Sequence, residues 1–332
     1  MDIELHGSLQ GRKKQLWQEF LFKAGLQADE GLERTCLIWE GDEIIAAGSR
    51  QENLLKCIAV DDAHQGEGLT GTLLTQLRQD AFANGHSHLF LYTKPKNKFM
   101  FSSLFFYPIA QTKDVLLMEN KRDGLKTFLA GLPSEPCEGV VGAAVMNCNP
   151  FTKGHRYLIE TAARECDRLY VFVLSEDKSY FSAKDRLEMV KLGTQDLTNV
   201  TVLPTGPYLI SSATFPTYFL KEREKAESIH CLLDIEVFCN YYVPKFGIQR
   251  RYVGTEPLSQ MTNQYNDALR ENLPGKGIEY REIARLESGS TPISASAVRD
   301  HLQKGELEKL RAIVPTTTFE YLQANNLFPG KL

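Results

Sequence analysis

Little in this sequence points away from water. Across 332 residues no apolar run approaches the roughly 20 residues that span a bilayer. The opening stretch MDIELHGSLQGRKKQLWQEF has no apolar core bounded by a small-residue cleavage site. A cytoplasmic protein with no membrane partner is expected. Charge of one sign is also scarce: 38 Lys and Arg against 42 Asp and Glu leave a formal net charge of -4, which excludes a general attraction to nucleic acid or anionic lipid. Seven cysteines, an odd number without CxxC or His-rich spacing, exclude a disulfide framework and a zinc site and read as reduced thiols, mostly in the core. Internal repeats and low-complexity tracts are absent. What is present is an ordinary globular composition, 42% hydrophobic and 24% charged, in a chain long enough for two domains.

The joint is written in RDGLKTFLAGLPSEPCEGV, where Gly124, Gly131, Pro133, Pro136 and Gly139 crowd together. It predicts a first domain over 1–130, a linker over 131–137 and a second domain over 138–332. In the first, TCLIWEGDEIIAAGS reads as a hairpin turning at Glu40-Gly41-Asp42, and LLKCIAV as a further strand. A helix then carries Leu69, Leu73, Leu77 and Ala81 on one stripe, followed by the strands HLFLYTK and VLLMEN around the apolar FMFSSLFFYPIA. The second domain alternates strand and helix, starting from GVVGAAVM, a run apolar enough to be buried on both faces. RLYVFVL, NVTVL, HCLLD and RRYVG are expected as its other strands, and Ser182 with Asp185 caps the helix AKDRLEMVKLG. This is an α/β chain: an α+β domain followed by a doubly wound parallel sheet of about five strands.

Two stretches of the second domain have the chemistry of an anion site. NPFTKGH, 149 to 155, lies between the first strand and a helix, where unpaired N–H groups and the positive helix end face a ligand. Pro150 sets the turn, Gly154 permits close approach, and Thr152, Lys153 and His155 bring donors. Taken alone, Thr152 is an ordinary helix cap and His155 a satisfied core histidine. The second stretch, TPISASAVRDHL, opens another helix after Pro292 with Ser294, Ser296 and Arg299; Ser296 and Arg299 are three apart and share a face. Arginine suits bidentate phosphate contact, and two such sites at one sheet edge suit a nucleotide triphosphate.

NPFTKGH followed by ISASAVR resembles the nucleotidyltransferase superfamily with its H-x-G-H and I-S-x-[ST]-x-x-R motifs. Thr152 stands where the first histidine usually is, as in the phosphopantetheine adenylyltransferase branch. The resemblance implies that His155 stabilises the transition state at the α-phosphate with Thr152 and Lys178. It also implies that Asn149, Phe151, Gly154, Ser294, Ser296 and Arg299 bind ATP together with Gly254, Thr255 and Glu256 of VGTEP. In the first domain QGEGLTG resembles the Q/R-x-x-G-x-G/A loop of the GNAT acyltransferases, with Thr70 replacing the final small residue. This makes Gln65, Gly66, Gly68 and Gly71 a candidate CoA-like pyrophosphate loop. No general base stands out beside it, Glu67 and His64 being near only in sequence.

A GNAT-like half joined to a Rossmann-like T-x-G-H nucleotidyltransferase half resembles the citrate lyase ligase family. That resemblance implies ATP and acetate as substrates, with Mg2+ bound through the nucleotide. The partner it implies is the acyl carrier (gamma) subunit of citrate lyase, whose phosphoribosyl-dephospho-coenzyme A thiol is acetylated with release of AMP and pyrophosphate. Three alternatives remain at this level: an adenylyltransferase acting on a phosphorylated small molecule, a GNAT acetyltransferase with a nucleotide-sensing second half, and a non-catalytic binding protein.

Overall fold

The computed structural model describes residues 1–176, 179–209, 223–256, 259–288 and 291–328. They form two compact units, one of residues 1–127 with 223–236, the other of residues 128–209 with 237–328. The expected linker, 131–137, contains no regular element.

The first unit opens with β1 (Asp2–His6) and α1 (Gly11–Lys23), which the sequence reading left without an element. β2 (Arg34–Glu40) and β3 (Glu43–Gln51) form the expected hairpin, with Gly41 at φ +58° in the turn. β4 (Leu54–Val60), α2 (Leu69–Ala83), β5 (Phe90–Thr93), α3 (Lys98–Ser103), β6 (Tyr107–Gln111), β7 (Leu116–Glu119) and α4 (Gly124–Ala130) follow. The strands make one sheet in the order β1-β2-β3-β4-β5-β7-β6, antiparallel except for β4 and β5. That parallel pair is joined only at Leu54 with Phe90 and Leu55 with Leu91. Beyond it, Cys57 adopts φ +52° where the β3–β4 register shifts, so β4 runs on without β5 toward Gln65–Gly71. The helical stripe of α2 is buried as expected, at Leu69, Leu73, Leu74, Leu77 and Ala81. Asp80 of α2 also takes two hydrogen bonds from Arg50, which is 2% exposed, at 2.9 and 2.6 Å, fixing the helix across β3.

The second unit contains β8 (Val141–Met146), α5 (Lys153–Arg164), β9 (Arg168–Val173), α6 (Ala183–Thr194) and β10 (Val200–Pro204). After α7 (Arg223–Val237), which belongs to the first unit up to residue 236, come α8 (Val243–Phe246), β11 (Arg250–Gly254), α9 (Gln260–Asn272) and β12 (Glu279–Ile283). The short ribbon β13 (Glu287–Ser288) and β14 (Thr291–Pro292) precedes α10 (Ala295–Lys304), α11 (Leu307–Ile313) and α12 (Thr316–Ala324). The sheet order is β10-β9-β8-β11-β12 and every pair is parallel. Five strands are present as expected, but HCLLD is not among them. It lies in α7, where His230, Cys231, Leu233 and Asp234 are all buried. A helix covered on nearly every side has the same continuous apolar look as an inner strand. The fifth strand is EYREI, an edge strand whose charged, exposed residues hid it.

Close packing ties this sheet to its first loop. Gly142 leaves room for Tyr252, since a Cβ there would stand 2.6 Å from the tyrosine ring. Gly193 of α6 does the same for Phe151, at 2.4 Å, and Phe151 is fully buried. Of the seven cysteines none is in a disulfide and five are buried. Among the described residues no helix is long and apolar enough to cross a membrane.

Candidate active site

The strand order reverses between β8 and β11: β9 and β10 lie to one side, β12 to the other. Loops leaving two such strands at their carboxyl ends diverge and open a crevice. NPFTKGH leaves β8 there and Thr255–Glu256 leaves β11. The opposite ends of the motif pair are also brought together. A Cβ on Gly154 would lie 3.3 Å from the carbonyl oxygen of Ile293, the residue before the α10 cap, so glycine is what lets the two segments touch.

Thr152 is the N-cap of α5 and is 1% exposed. Its hydroxyl accepts from the His155 N–H at 3.2 Å, and its own N–H donates to His155 Nδ1 at 3.1 Å. This is a reciprocal capping box with histidine in the place usually held by Glu or Gln. The Thr152 Oγ1 also lies 2.9 Å from Nδ1. Because Nδ1 accepts the backbone proton, the neutral ring carries its own proton on Nε2. Burial, and then the charge of Arg285, push the imidazole down to about 4. At neutral pH His155 is therefore an uncharged Nε2–H donor with a fixed orientation. Phe151 stacks on it with ring centroids 6.0 Å apart.

α10 is capped by Ser294, whose Oγ accepts from the Ala297 N–H at 3.1 Å. Arg299 donates from Nη1 to the Asn149 carbonyl at 2.5 Å and from Nη2 to Ser296 Oγ at 3.0 Å. Asn149 is held from its other end, its Oδ1 accepting from the Phe181 N–H at 3.0 Å. The late helix thus grips the early loop directly. Gly254 lies against Leu158, with a virtual Cβ 3.1 Å from Cδ1, and its carbonyl accepts from Asn266 at 3.0 Å. Thr255 Oγ1 accepts from the Arg285 N–H at 3.1 Å, and Glu256 forms an ion pair with the Arg285 guanidinium.

The structure therefore gathers Asn149, Thr152, Gly154, His155, Ser294, Ser296 and Arg299 into one connected network, with Gly254, Thr255 and Glu256 on the neighbouring strand end. Phe151 faces the core, so any nucleotide contact it makes goes through its backbone. Lys153 is aimed elsewhere: its Nζ donates to the carbonyls of Arg311 and Ala312 at 3.3 and 2.7 Å, capping α11. Lys178 and Pro257 lie outside the described residues. Gln65, Gly66 and Gly68 are exposed in the first unit, Gly66 at φ +92° and Gly68 at φ +78°, and Gly71 lies in the first turn of α2.

Two arginines escaped the sequence reading. Arg285 stands two residues beyond β12 at the same sheet edge and donates from Nε to the Thr255 carbonyl at 2.7 Å. Identifying EYREI as a strand would have exposed it. Arg186 is wholly buried. It donates to the carbonyls of Asn147, Leu174 and Phe181 at 3.0, 2.8 and 3.1 Å, to the Glu176 carbonyl, and to Asn147 Oδ1 at 2.6 Å. It binds the loop after β9 to the loop after β8, and nothing local in the sequence marks it. Ser182 caps α6 as expected, accepting from the Asp185 N–H at 3.2 Å, while the Asp185 carboxylate returns to the Ser182 hydroxyl at 2.6 Å.

The profile of the citrate lyase ligase C-terminal domain matches residues 141–322. The [citrate [pro-3S]-lyase] ligase of Klebsiella pneumoniae is 40% identical over 93% of this chain and 92% of its own length. The corresponding protein of Escherichia coli (strain K12) is 38% identical over 92% and 89%. A phosphopantetheine adenylyltransferase of Clostridium botulinum (strain 657 / Type Ba4) is 38% identical over 78 residues, 23% of this chain and 43% of that one.

Proposed function

The chain belongs to the citrate lyase ligase family, and from that membership we propose that it activates citrate lyase by ATP-dependent acetylation of its carrier thiol. The acceptor is the phosphoribosyl-dephospho-coenzyme A group on the acyl carrier (gamma) subunit. The domain assignment, 1–130 and 138–332, is part of this proposal.

The observation that carries it is the neutral, oriented Nε2–H of His155 beside the grip of Arg299. Acetate is already an anion at neutral pH, so its attack needs no general base. It needs positioning and donors for the charge on phosphorus. A carboxylate oxygen forms a bond to the α-phosphorus, the bond to the β-phosphate oxygen breaks, and pyrophosphate leaves. His155 donates to an α-phosphate oxygen, Thr152 orients the ring from behind, and Lys178 adds charge on the same phosphate. Arg299, Ser294 and Ser296 hold the β- and γ-phosphates. The carrier thiolate then attacks the acyl carbon of acetyl adenylate, the acyl C–O bond breaks, and AMP leaves; the thiol proton goes to solvent.

Mg2+ enters with the nucleotide. Among the described residues no group of three His, Cys, Asp or Glu is placed to hold a metal ion. When bound, it offsets the charge of the departing pyrophosphate. Gln65, Gly66, Gly68 and Gly71 offer backbone donors to the pyrophosphate of the carrier arm.

Incubation with ATP, acetate and deacetylated citrate lyase tests the reading. AMP should form in step with recovered lyase activity. A requirement for a phosphomonoester in place of acetate would instead mark an adenylyltransferase, and consumption of acetyl-coenzyme A without ATP would mark a GNAT acetyltransferase.

A further inference from the structure

The chain is net acidic, yet from Thr93 to Lys113 it contains Lys94, Lys96, Lys98 and Lys113 and no Asp or Glu. The same stretch carries three exposed large apolar side chains. Phe99 is 83% exposed, Phe105 64% and Met100 41%. α3 explains only part of this: Phe101 is its buried anchor at 3% exposure, and Phe99 and Met100 point away. Phe105 is held at φ +63°, a conformation unfavourable for an aromatic residue, and still presents its ring to solvent. Local folding gains nothing from that display. Lys94, Lys96 and Lys98 are exposed, and their ammonium groups have no hydrogen bond or ion pair among the described residues.

This patch borders the QGEGLTG junction. Thr70 Oγ1 lies 4.0 Å from Met100 Sδ, and a Cβ on Gly71 would meet Leu104 at 3.4 Å. α2 begins there with Gly68 as its cap and no side-chain bond to its first N–H groups. Exposed aromatics, unpaired ammonium groups and open backbone donors thus occur on neighbouring segments of the first unit.

We propose that Phe99, Met100 and Phe105, with the neighbouring Lys94, Lys96 and Lys98, form the docking surface for the acyl carrier subunit. The aromatics would cover an apolar spot beside the attachment point of the arm, and the lysines call for acidic groups around that spot. The inference rests on the carrier-acetylation reading above. Exposed aromatic and Met side chains beside charged ones are a common composition of a transient protein interface.

The test uses the full-length protein in two variants, Phe99→Ser with Phe105→Ser, and Lys94→Glu with Lys96→Glu and Lys98→Glu. Two reactions are followed: acetate-driven ATP–pyrophosphate exchange without carrier, and AMP release with deacetylated carrier. Exchange should stay within about twofold of wild type, while the KM for the carrier rises by about tenfold or more in each variant. For the wild type that KM should also rise with salt. An unchanged carrier KM with intact exchange overturns the proposal, as does a wild-type KM indifferent to salt. A shift in sedimentation of the Phe variant at unchanged KM also overturns it, assigning the face to a second copy of the chain. Loss of exchange in the wild type itself would remove the ligase reading, and the docking surface with it.

Discussion

Two junctions in this molecule have the same plan, strand then glycine-bearing turn then helix, and they are built in opposite ways. At NPFTKGH the helix start is closed by side chains: Thr152 and His155 cap each other, Gly154 packs under Ile293, and Arg299 holds Asn149. At QGEGLTG the cap is a glycine without any side-chain bond, and Gln65 to Gly68 are exposed. A closed junction fixes one donor in one protonation state, which is what stabilising a transition state requires. An open one offers backbone N–H groups of no fixed chemistry, suited to holding a phosphate far from the reacting bond. In the proposed reading, the same supersecondary unit would serve catalysis where its polar groups are pre-satisfied and binding where they are not.

The contrast breaks most sharply at His155. His155→Ala should lower acetate-driven ATP–pyrophosphate exchange by about 10²–10³ with the fold retained. Circular dichroism on the same sample checks the second half of that statement. Arg186→Met removes the guanidinium that satisfies four carbonyls and should lower the unfolding free energy by about 3 kcal/mol or more, read as a reduced urea midpoint. Among the described residues no buried arginine supports the open junction in this way. Acid sharpens the difference. Between about 4 and 6.5 the unfolded chain protonates His155 and the folded one does not, so stability falls as pH drops through that window. The loss is at most about 3 kcal/mol, and His155→Gln should flatten that part of the profile. Gly193→Ala drives a methyl into Phe151 and should cost about 1–3 kcal/mol while weakening ATP binding through the displaced loop. Gly68→Ala is the mildest: the space is open, and only φ +78° opposes it, costing about 1 kcal/mol. It should raise the carrier KM more than it slows exchange.

The two junctions were legible in the sequence because their chemistry is local: a turn, a cap and a donor lie within seven residues. So were the hairpin at Gly41, the stripe of α2 and the buried strands β8 and β9, whose periodicity is their own. HCLLD misled because burial on all sides erases the difference between helix and inner strand. EYREI was missed for the opposite reason, an edge strand covered in charge. Arg186 and Arg285 were invisible because a guanidinium bonded to carbonyls acquires its meaning from backbone that other elements bring to it. Lys153 looked like a phosphate ligand by its neighbours, and only tertiary structure reveals that the C-terminus of α11 claims it.

The central claim is that the closed junction makes acetyl adenylate on its own, with acetate as the nucleophile. Its most direct test is ATP–pyrophosphate exchange by the wild-type protein with acetate and no carrier. The account predicts exchange that saturates with acetate and needs no thiol. Exchange that begins only when carrier or a phosphomonoester is added would contradict it.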